Sequence, residues 1–490
     1  MKDSATGTQE TIRKPQRVDV TEKSRWPYLV VGLAVLIISL VLPAPAGMNP
    51  AALRTLAVMA TTVLWWVTEA LPIPVTAMIV PVMVHLLGIM PLGESVRESF
   101  GDALIPFFVG VLGLSAAFIA SGFGKRVTLL LLTLSGTSTP RVIGVYFWVS
   151  FVVSMFITDV AVVAMMIPVV IGLLKTIEAK PGASNLGRGL MMAIMFGSTL
   201  GGICTPAGVS ANIIAMAFIT KNARLSVGFL DWTLIATPIF LVVGFCAWWL
   251  ILKMFPPEIP HLPYGREALV KELETMGRWS VKEKTTLVVF LAVVALWLTG
   301  DFTRIPIGLV SLLILAGITL PRVGVFRKWG ELEKGIEWGA MLLVVGGFTL
   351  GVAASKSGLA AWVAHKALAP MAALPLYLQP AAVVLLVAID SLGFSSFGAA
   401  ASVNVPFVIA YAQQHGFPVL ALAMAAGFAA STHFILVTES PSFVLPYAYG
   451  YFSFSEMARI GVWLTLLSAV MVSVGMVVAG LPAGLPLPGR

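Results

Sequence analysis

The sequence predicts an all-α polytopic membrane protein built from two inverted repeats. Three observations carry that expectation. Apolar residues make up 58% of the 490 and charged residues only 11%, where soluble domains carry about 25% charged residues. Apolar runs recur along nearly the whole chain, many long enough to cross a hydrocarbon core of about 30 Å. Two of these runs are too long for one span and are polar at their centres. The spans are read as helices because a helix satisfies its own backbone hydrogen bonds in lipid. The composition excludes an ordinary cytosolic enzyme, a disordered tail protein and a nucleic-acid binder.

Residues 1–25 form a polar, basic lead-in with Lys2, Arg13, Lys14, Arg17, Lys23 and Arg25. They are expected to be a cytoplasmic tail before a retained first helix at 26–43, since a signal peptide has a shorter basic region and a small-residue cleavage site. Apolar segments follow at about 51–69, 73–91, 103–122, 141–176, 187–219, 230–254, 285–300, 305–320, 336–355, 376–412, 417–449 and 457–480. The pairs Trp65-Trp66 and Trp248-Trp249 fit interfacial aromatic belts. Gly346, Gly347 and Gly351 suit close helix packing. The polar stretch 256–284 is read as a cytoplasmic linker between the halves 26–255 and 285–480, and 481–490 as a C-terminal tail.

Segment 141–176 would be about 54 Å long as one helix, with Thr158-Asp159 at its middle. Segment 376–412 is similar, and its centre is rich in Gly and Ser from Asp390 to Gly398. Two half-helices meeting at a polar tip explain both, because irregular backbone at membrane depth survives only inside protein or beside a water-filled cavity. Two ordinary spans joined by a short turn would instead put Thr158-Asp159 on the far side. With re-entrant hairpins there are about eleven transmembrane helices plus the two hairpins. A cytoplasmic N-terminus then leaves 23 Lys and Arg on the cytoplasmic side against 8 outside, as the positive-inside rule requires. The C-terminus falls outside, and the halves run in opposite senses.

Each hairpin is followed by a Gly/Pro-interrupted helix. The first, at 187–222, contains Gly201-Gly202 and the run Thr205-Pro206-Ala207-Gly208-Val209; the second, at 417–453, contains Glu439-Ser440-Pro441. Interrupted segments at matching places in two inverted halves point to a transporter's binding site.

In this order of parts the chain resembles the divalent anion:sodium symporter family of the ion-transporter superfamily. That family carries a Ser-Asn-Thr hairpin tip with Pro ten residues after its Ser. Here Thr158 precedes Pro168 by ten, and Ser396 precedes Pro406 by ten. Thr205-Pro206, Gly208 and Asn212 fit the family's first broken helix. The resemblance implies a secondary active transporter with an elevator mechanism, moving a small organic or inorganic anion (a mono- or dicarboxylate, or a sulfate-like ion) with Na⁺ or H⁺. It implies a dimer through a scaffold of 26–134 and 285–356, and no cofactor beyond the coupling ion. Solute contacts fall on Thr158, Asp159, Val209, Asn212, Ser396, Phe397, Ser440 and Pro441. Both tips depart from the family, since Asp159 and Phe397 stand at the Asn positions and Val160 and Gly398 at the Thr positions.

Ser154, Thr158, Asp159 and the backbone near Gly208 form one candidate Na⁺ site, where Asp159 could equally titrate. Leu392 and Phe397 remove oxygens from the second. Glu439 reads either as a proton carrier or amine contact, or as a residue that faces water or caps a half-helix. Asp390 reads either as a functional intramembrane acid or as a cap for a half-helix N-terminus. A proton-coupled carrier of a neutral or zwitterionic solute is the nearest alternative. A membrane-embedded enzyme or sensor is another, disfavoured by the absence of a clustered nucleophile and base, of a Walker A motif and of HExxH. The expected partners are the solute and the lipid of a bacterial inner membrane.

Overall fold

The computed structural model describes residues 25–102, 104–133, 136–262, 265–303 and 305–480. Most of the basic tail and the segment after residue 480 therefore lie outside the described residues. Among those described the chain is helical throughout. The first half comprises α1 (Trp26–Val41), α2 (Pro50–Thr68), α3 (Ile73–Leu86), α4 (Leu92–Phe100), α5 (Leu104–Ser121) and α6 (Phe123–Leu132). It continues with α7 (Thr139–Ser154), α8 (Asp159–Thr176), α9 (Asn185–Ile203), α10 (Ser210–Asn222) and α11 (Phe229–Met254). A connecting helix, α12 (Gly265–Thr275), leads into α13 (Val281–Thr303), α14 (Ile307–Ile318), α15 (Trp329–Gly335), α16 (Trp338–Lys356) and α17 (Leu359–Lys366). The second half ends with α18 (Gln379–Ser391), α19 (Phe397–His415), α20 (Val419–Ala429), α21 (Pro441–Tyr447) and α22 (Phe454–Val478). Among the described residues six helices are long and apolar enough to cross a membrane alone: α2, α5, α9, α11, α16 and α22.

The halves repeat one plan. Helix α5 ends at Ser121-Gly122 and α16 just before Ser357-Gly358, and both glycines sit at φ +79°, a conformation open to glycine at little cost. Each preceding serine hydroxyl accepts from the amide after the glycine, Ser121 from Phe123 at 3.1 Å and Ser357 from Leu359 at 3.4 Å. Pro140 and Pro380 open α7 and α18, where a missing N–H costs nothing. Helices α11 and α22 open alike, with Asp231 accepting from the Gly228 amide and Glu456 from the Ser453 amide. Packing crosses between the halves in matched pairs: α3 with α16 and α5 with α14, then α8 with α21 and α10 with α19. On α16, Gly346 lies against the Ala77 backbone and Gly347 against Ser402, the close packing expected of these glycines.

The ends of the hairpins fix their senses. The strand-like bridge Ser138–His261 and the bond from the Thr139 amide to the Pro260 carbonyl (3.0 Å) hold the start of α7 at residues 256–262. The start of α9, just past α8, is held at the same place: the Asn185 side-chain amide donates to the Pro256 carbonyl at 3.0 Å, and Glu258 accepts from the Leu186 amide at 3.0 Å. So α7 and α8 enter and leave from the linker face. Helix α22 starts there too, through the Arg188–Glu456 ion pair (2.8 Å), and near its other end the Ser473 hydroxyl donates to the Tyr377 carbonyl, just before α18. The far arm returns to that second face, where the Gln413 side-chain amide donates to the Asn222 carbonyl at 2.9 Å. The second hairpin is thus entered from the opposite face.

Two expectations are corrected. Trp65 and Trp66 do not form an exposed belt: both are buried, and the Trp65 indole donates to the Tyr28 carbonyl of α1 at 3.2 Å. Asp390 is not at a helix N-terminus. It lies at the C-terminal end of α18 and accepts from the Asn404 side-chain amide across the hairpin at 2.9 Å. The linker 256–284 contains α12 and the first turn of α13. A buried ion pair, Arg126–Glu283, ties that turn to α6, and the Arg126 guanidinium also donates to the Met276 and Gly277 carbonyls (3.1 and 3.0 Å).

Candidate transport site

The first hairpin turns at Met155–Thr158 between α7 and α8. Its geometry is held from three directions. The Asp159 amide donates to the Gly208 carbonyl at 3.1 Å, the Thr158 amide to the Ser115 hydroxyl at 3.3 Å, and the Thr205 hydroxyl to the Met155 carbonyl. Phe156 packs edge-on against Phe290 of α13, with ring centres 5.2 Å apart. Asp159 occupies the first turn of α8, where the helix dipole favours a negative charge. Ser442 of the second half faces the Asp159 carboxylate, yet Oδ2 has no partner in the protein.

The break between α9 and α10 runs from Cys204 to Val209. Its freed carbonyls are gathered by one side chain: Asn212 Nδ2 donates to the carbonyls of Gly202, Ile203 and Thr205 at 3.0, 3.2 and 2.6 Å. The nitrogen of Asn212 is therefore spent on the break, and only its Oδ1 stays without a partner. Val209 is buried with its side chain toward Gly202, so it offers the centre only backbone. Gly208 is pressed between Gly202 and the Ser154 carbonyl. The residues of the candidate cation site lie around this point: Ser154 Oγ, Thr158 Oγ1 and Asp159 Oδ2 are buried without protein partners, and the Gly208 backbone lies against the Ser154 carbonyl.

The second hairpin turns at Leu392–Ser396. Phe397, the first residue of α19, packs edge-on against His433 and Phe443, at 5.4 and 5.7 Å. Gly398 abuts Ser210 at the start of α10. The second break spans 430–440, longer than the Ser440-Pro441 interruption read from the sequence, and Ser440 caps α21 by accepting from the Ser442 amide at 3.3 Å. Glu439 is fully buried there, with Oε2 accepting from the Ile435 amide at 3.1 Å. Its carboxylate therefore caps this loop, and Oε1 has no partner. Sequence reasoning missed Ser115 and, though it placed Ser442 in the second interruption, gave it no role. It quoted Thr205 without seeing that its hydroxyl pins the tip; the Thr-Pro dipeptide at a helix break was the available signal.

Two re-entrant tips and two helix breaks, entered from opposite faces and packed together at the centre, define an inverted-repeat membrane transporter. The chain matches the family described as the sodium:sulfate symporter transmembrane region over residues 23–481, and it belongs to that family. It is 27% identical over 471 residues to the sodium-dependent dicarboxylate transporter SdcS of Staphylococcus saprophyticus, covering 91% of this chain and 89% of that protein. It is 24% identical over 487 residues to SdcS of Staphylococcus aureus, covering 94% and 93%. A membrane protein of Cupriavidus necator is 25% identical over 468 residues, covering 91% and 90%. The crystal structure of the Alcanivorax borkumensis YdaH transporter, described as having an unusual topology, shares the fold with a TM-score of 0.56 at 16% identity, over 94% of this chain and 99% of that one.

Proposed function

We propose that this transporter moves a small anionic solute, with Na⁺ as the coupling ion, across a bacterial plasma membrane. One observation carries the reading: the N-termini of α8, α10 and α19 meet at the centre, at Asp159, Ser210 and Phe397. Amino ends of helices present free amides and a positive dipole end to an anion. The relatives named as sodium-dependent dicarboxylate transporters support carboxylates as cargo, and the family's description supports sulfate. Solute contacts are assigned to Thr158, Asp159, Ser396, Phe397, Ser440 and Pro441, with the Val209 backbone and Asn212 Oδ1. The sodium ion takes Ser154, Thr158, Asp159 and the backbone near Gly208. Asp159 is a carboxylate where the family pattern has Asn, which favours H⁺ as the alternative coupling ion at the same place.

The two hairpins with α9, α10, α20 and α21 would slide as one body against a scaffold of α1–α6 and α13–α16, which also forms the dimer contact. The linker face is assigned to the cytoplasm from its Lys and Arg, and the C-terminus to the outside. Uptake of labelled sulfate, succinate and amino acids into proteoliposomes tests the reading. Accumulation driven by an inward Na⁺ gradient is expected. Uptake no greater than in empty liposomes, under Na⁺ and pH gradients alike, refutes it.

A further inference from the structure

The centre of this molecule holds acids and no Lys or Arg. Residues 142–174, 189–220, 379–414 and 416–458 contain both tips and both breaks, and they include no Lys or Arg. The basic residues of these elements stand at their ends, at Arg141, Lys175, Arg188, Lys221 and Arg459. The interior carries Asp159, Asp390 and Glu439. A site for an anion lined this way needs positive charge from elsewhere, since an uncompensated buried charge is prohibitive.

Two fully buried side chains in the second break indicate part of that source. His433 Nδ1 lies 3.3 Å from the Ala429 carbonyl oxygen. A carbonyl only accepts, so Nδ1 carries the ring hydrogen and Nε2 of the neutral ring is an acceptor. That Nε2 has no partner in the protein, and neither has Glu439 Oε1. Both residues are completely buried. His433 touches Phe397 at the second tip, and Glu439 directly precedes Ser440-Pro441. A sodium ion seeks oxygen ligands and gains little from an imidazole beside one carboxylate. An ammonium group presents three donors, the complement that unpartnered acceptor atoms call for.

We propose that Glu439 and His433 form a donor-reading subsite at the second tip, and that the preferred cargo is a small acid carrying an ammonium group. The proposal rests on the transport reading above: the acid group meets the helix amino ends while the ammonium meets Glu439 and His433. The cargo then brings its own compensating charge to the half of the site where Leu392 and Phe397 leave no oxygen cage for a second sodium.

Succinate and aspartate differ in one ammonium group and test this directly. Binding of each to the purified full-length protein is measured by calorimetry in sodium buffer, with taurine and sulfate alongside. Aspartate is expected to bind at least about tenfold tighter than succinate, a difference of about 1.4 kcal/mol. Glu439→Gln should remove that preference while leaving succinate affinity unchanged or improved, and His433→Phe should act in the same direction. Succinate binding as tightly as aspartate in the unsubstituted protein overturns the inference and leaves the transport reading standing. Equal weakening of both ligands by Glu439→Gln also overturns it. Binding of none of the four overturns the inference together with the transport reading. The unsubstituted protein decides the question alone where a variant does not fold.

Discussion

Replacing Gly208 by alanine tests the first half of the site at its tightest point. A Cβ there would lie 2.4 Å from the Gly202 Cα, 2.4 Å from the Gly202 carbonyl oxygen and 2.5 Å from the Ser154 carbonyl oxygen. All three are backbone atoms, so no rotamer change relieves the clash. Ordinary contact is about 3.5 Å, which makes the required separation about 1 Å. The break must open between Gly202 and Gly208, and the hairpin at Ser154 must move away by a similar amount, so the bond from the Asp159 amide to the Gly208 carbonyl is strained with it. Overpacking of this kind costs about 1–3 kcal/mol of stability. Binding sites need their ligands within about 0.5 Å, so sodium affinity should fall about 10- to 100-fold, or about 1.4–2.8 kcal/mol. Thermal unfolding in detergent reads the first quantity and the sodium dependence of uptake reads the second. Gly172→Ala in α8 is the control, since a Cβ there meets nothing within 4 Å and should be neutral or stabilising. A Gly208→Ala protein with the melting temperature and sodium dependence of the parent would refute the reasoning.

Asp159→Asn should keep sodium-driven uptake and abolish any proton-driven uptake; unchanged transport in both Asp159→Asn and Asp159→Ala would remove this residue from coupling. Asn212→Asp sets a carboxylate against the Gly202, Ile203 and Thr205 carbonyls that Nδ2 now serves, and the loss should be at least about 2–3 kcal/mol, read as a lower melting temperature or failure to accumulate in the membrane. Glu258, at the linker face, is pushed up by burial, but the amides of Leu186 and Asn185 outweigh this and hold its carboxyl below the ordinary 4.5. A depressed acid stabilises above its unfolded pKa and loses that contribution as pH falls through the folded one. The unsubstituted protein should therefore outlast Glu258→Gln at pH 7, and the two melting temperatures should converge below about pH 4; a gap that persists there would contradict the assignment.

The hairpins were legible because their chemistry is local. A polar Thr158-Asp159 or a Gly- and Ser-rich run inside an overlong apolar stretch has few explanations in lipid, and the observed turns end at Thr158 and Ser396. The short helices α4, α6, α15 and α17 were not legible. They sit at the ends of apolar runs and owe their boundaries to single turns such as those at Gly122 and Gly358. At the site, the residue types read correctly as polar and central, but their occupations did not. Whether Asn212 faces a solute or the break depends on which carbonyls the broken helix frees, and that is set by packing. The burial of Trp65 and Trp66 likewise follows from α1 lying across α2, a contact between neighbours that hydropathy alone does not report.

The chain between the halves is fastened at both ends to different things. Its beginning, 256–262, holds the starts of α7 and α9, and its end, through Glu283 and the Met276 and Gly277 carbonyls, is bolted to α6. In the proposed sliding movement one anchor travels and the other stands still. Helix α12 is itself docked on α6 through the Lys125–Glu272 ion pair (2.6 Å), so the free length between the anchors is confined to the residues between 262 and the start of α12. The connection is then a tether whose slack sets the length of the stroke. Shortening it would arrest the carrier at one end of its travel without touching a single atom of the binding site.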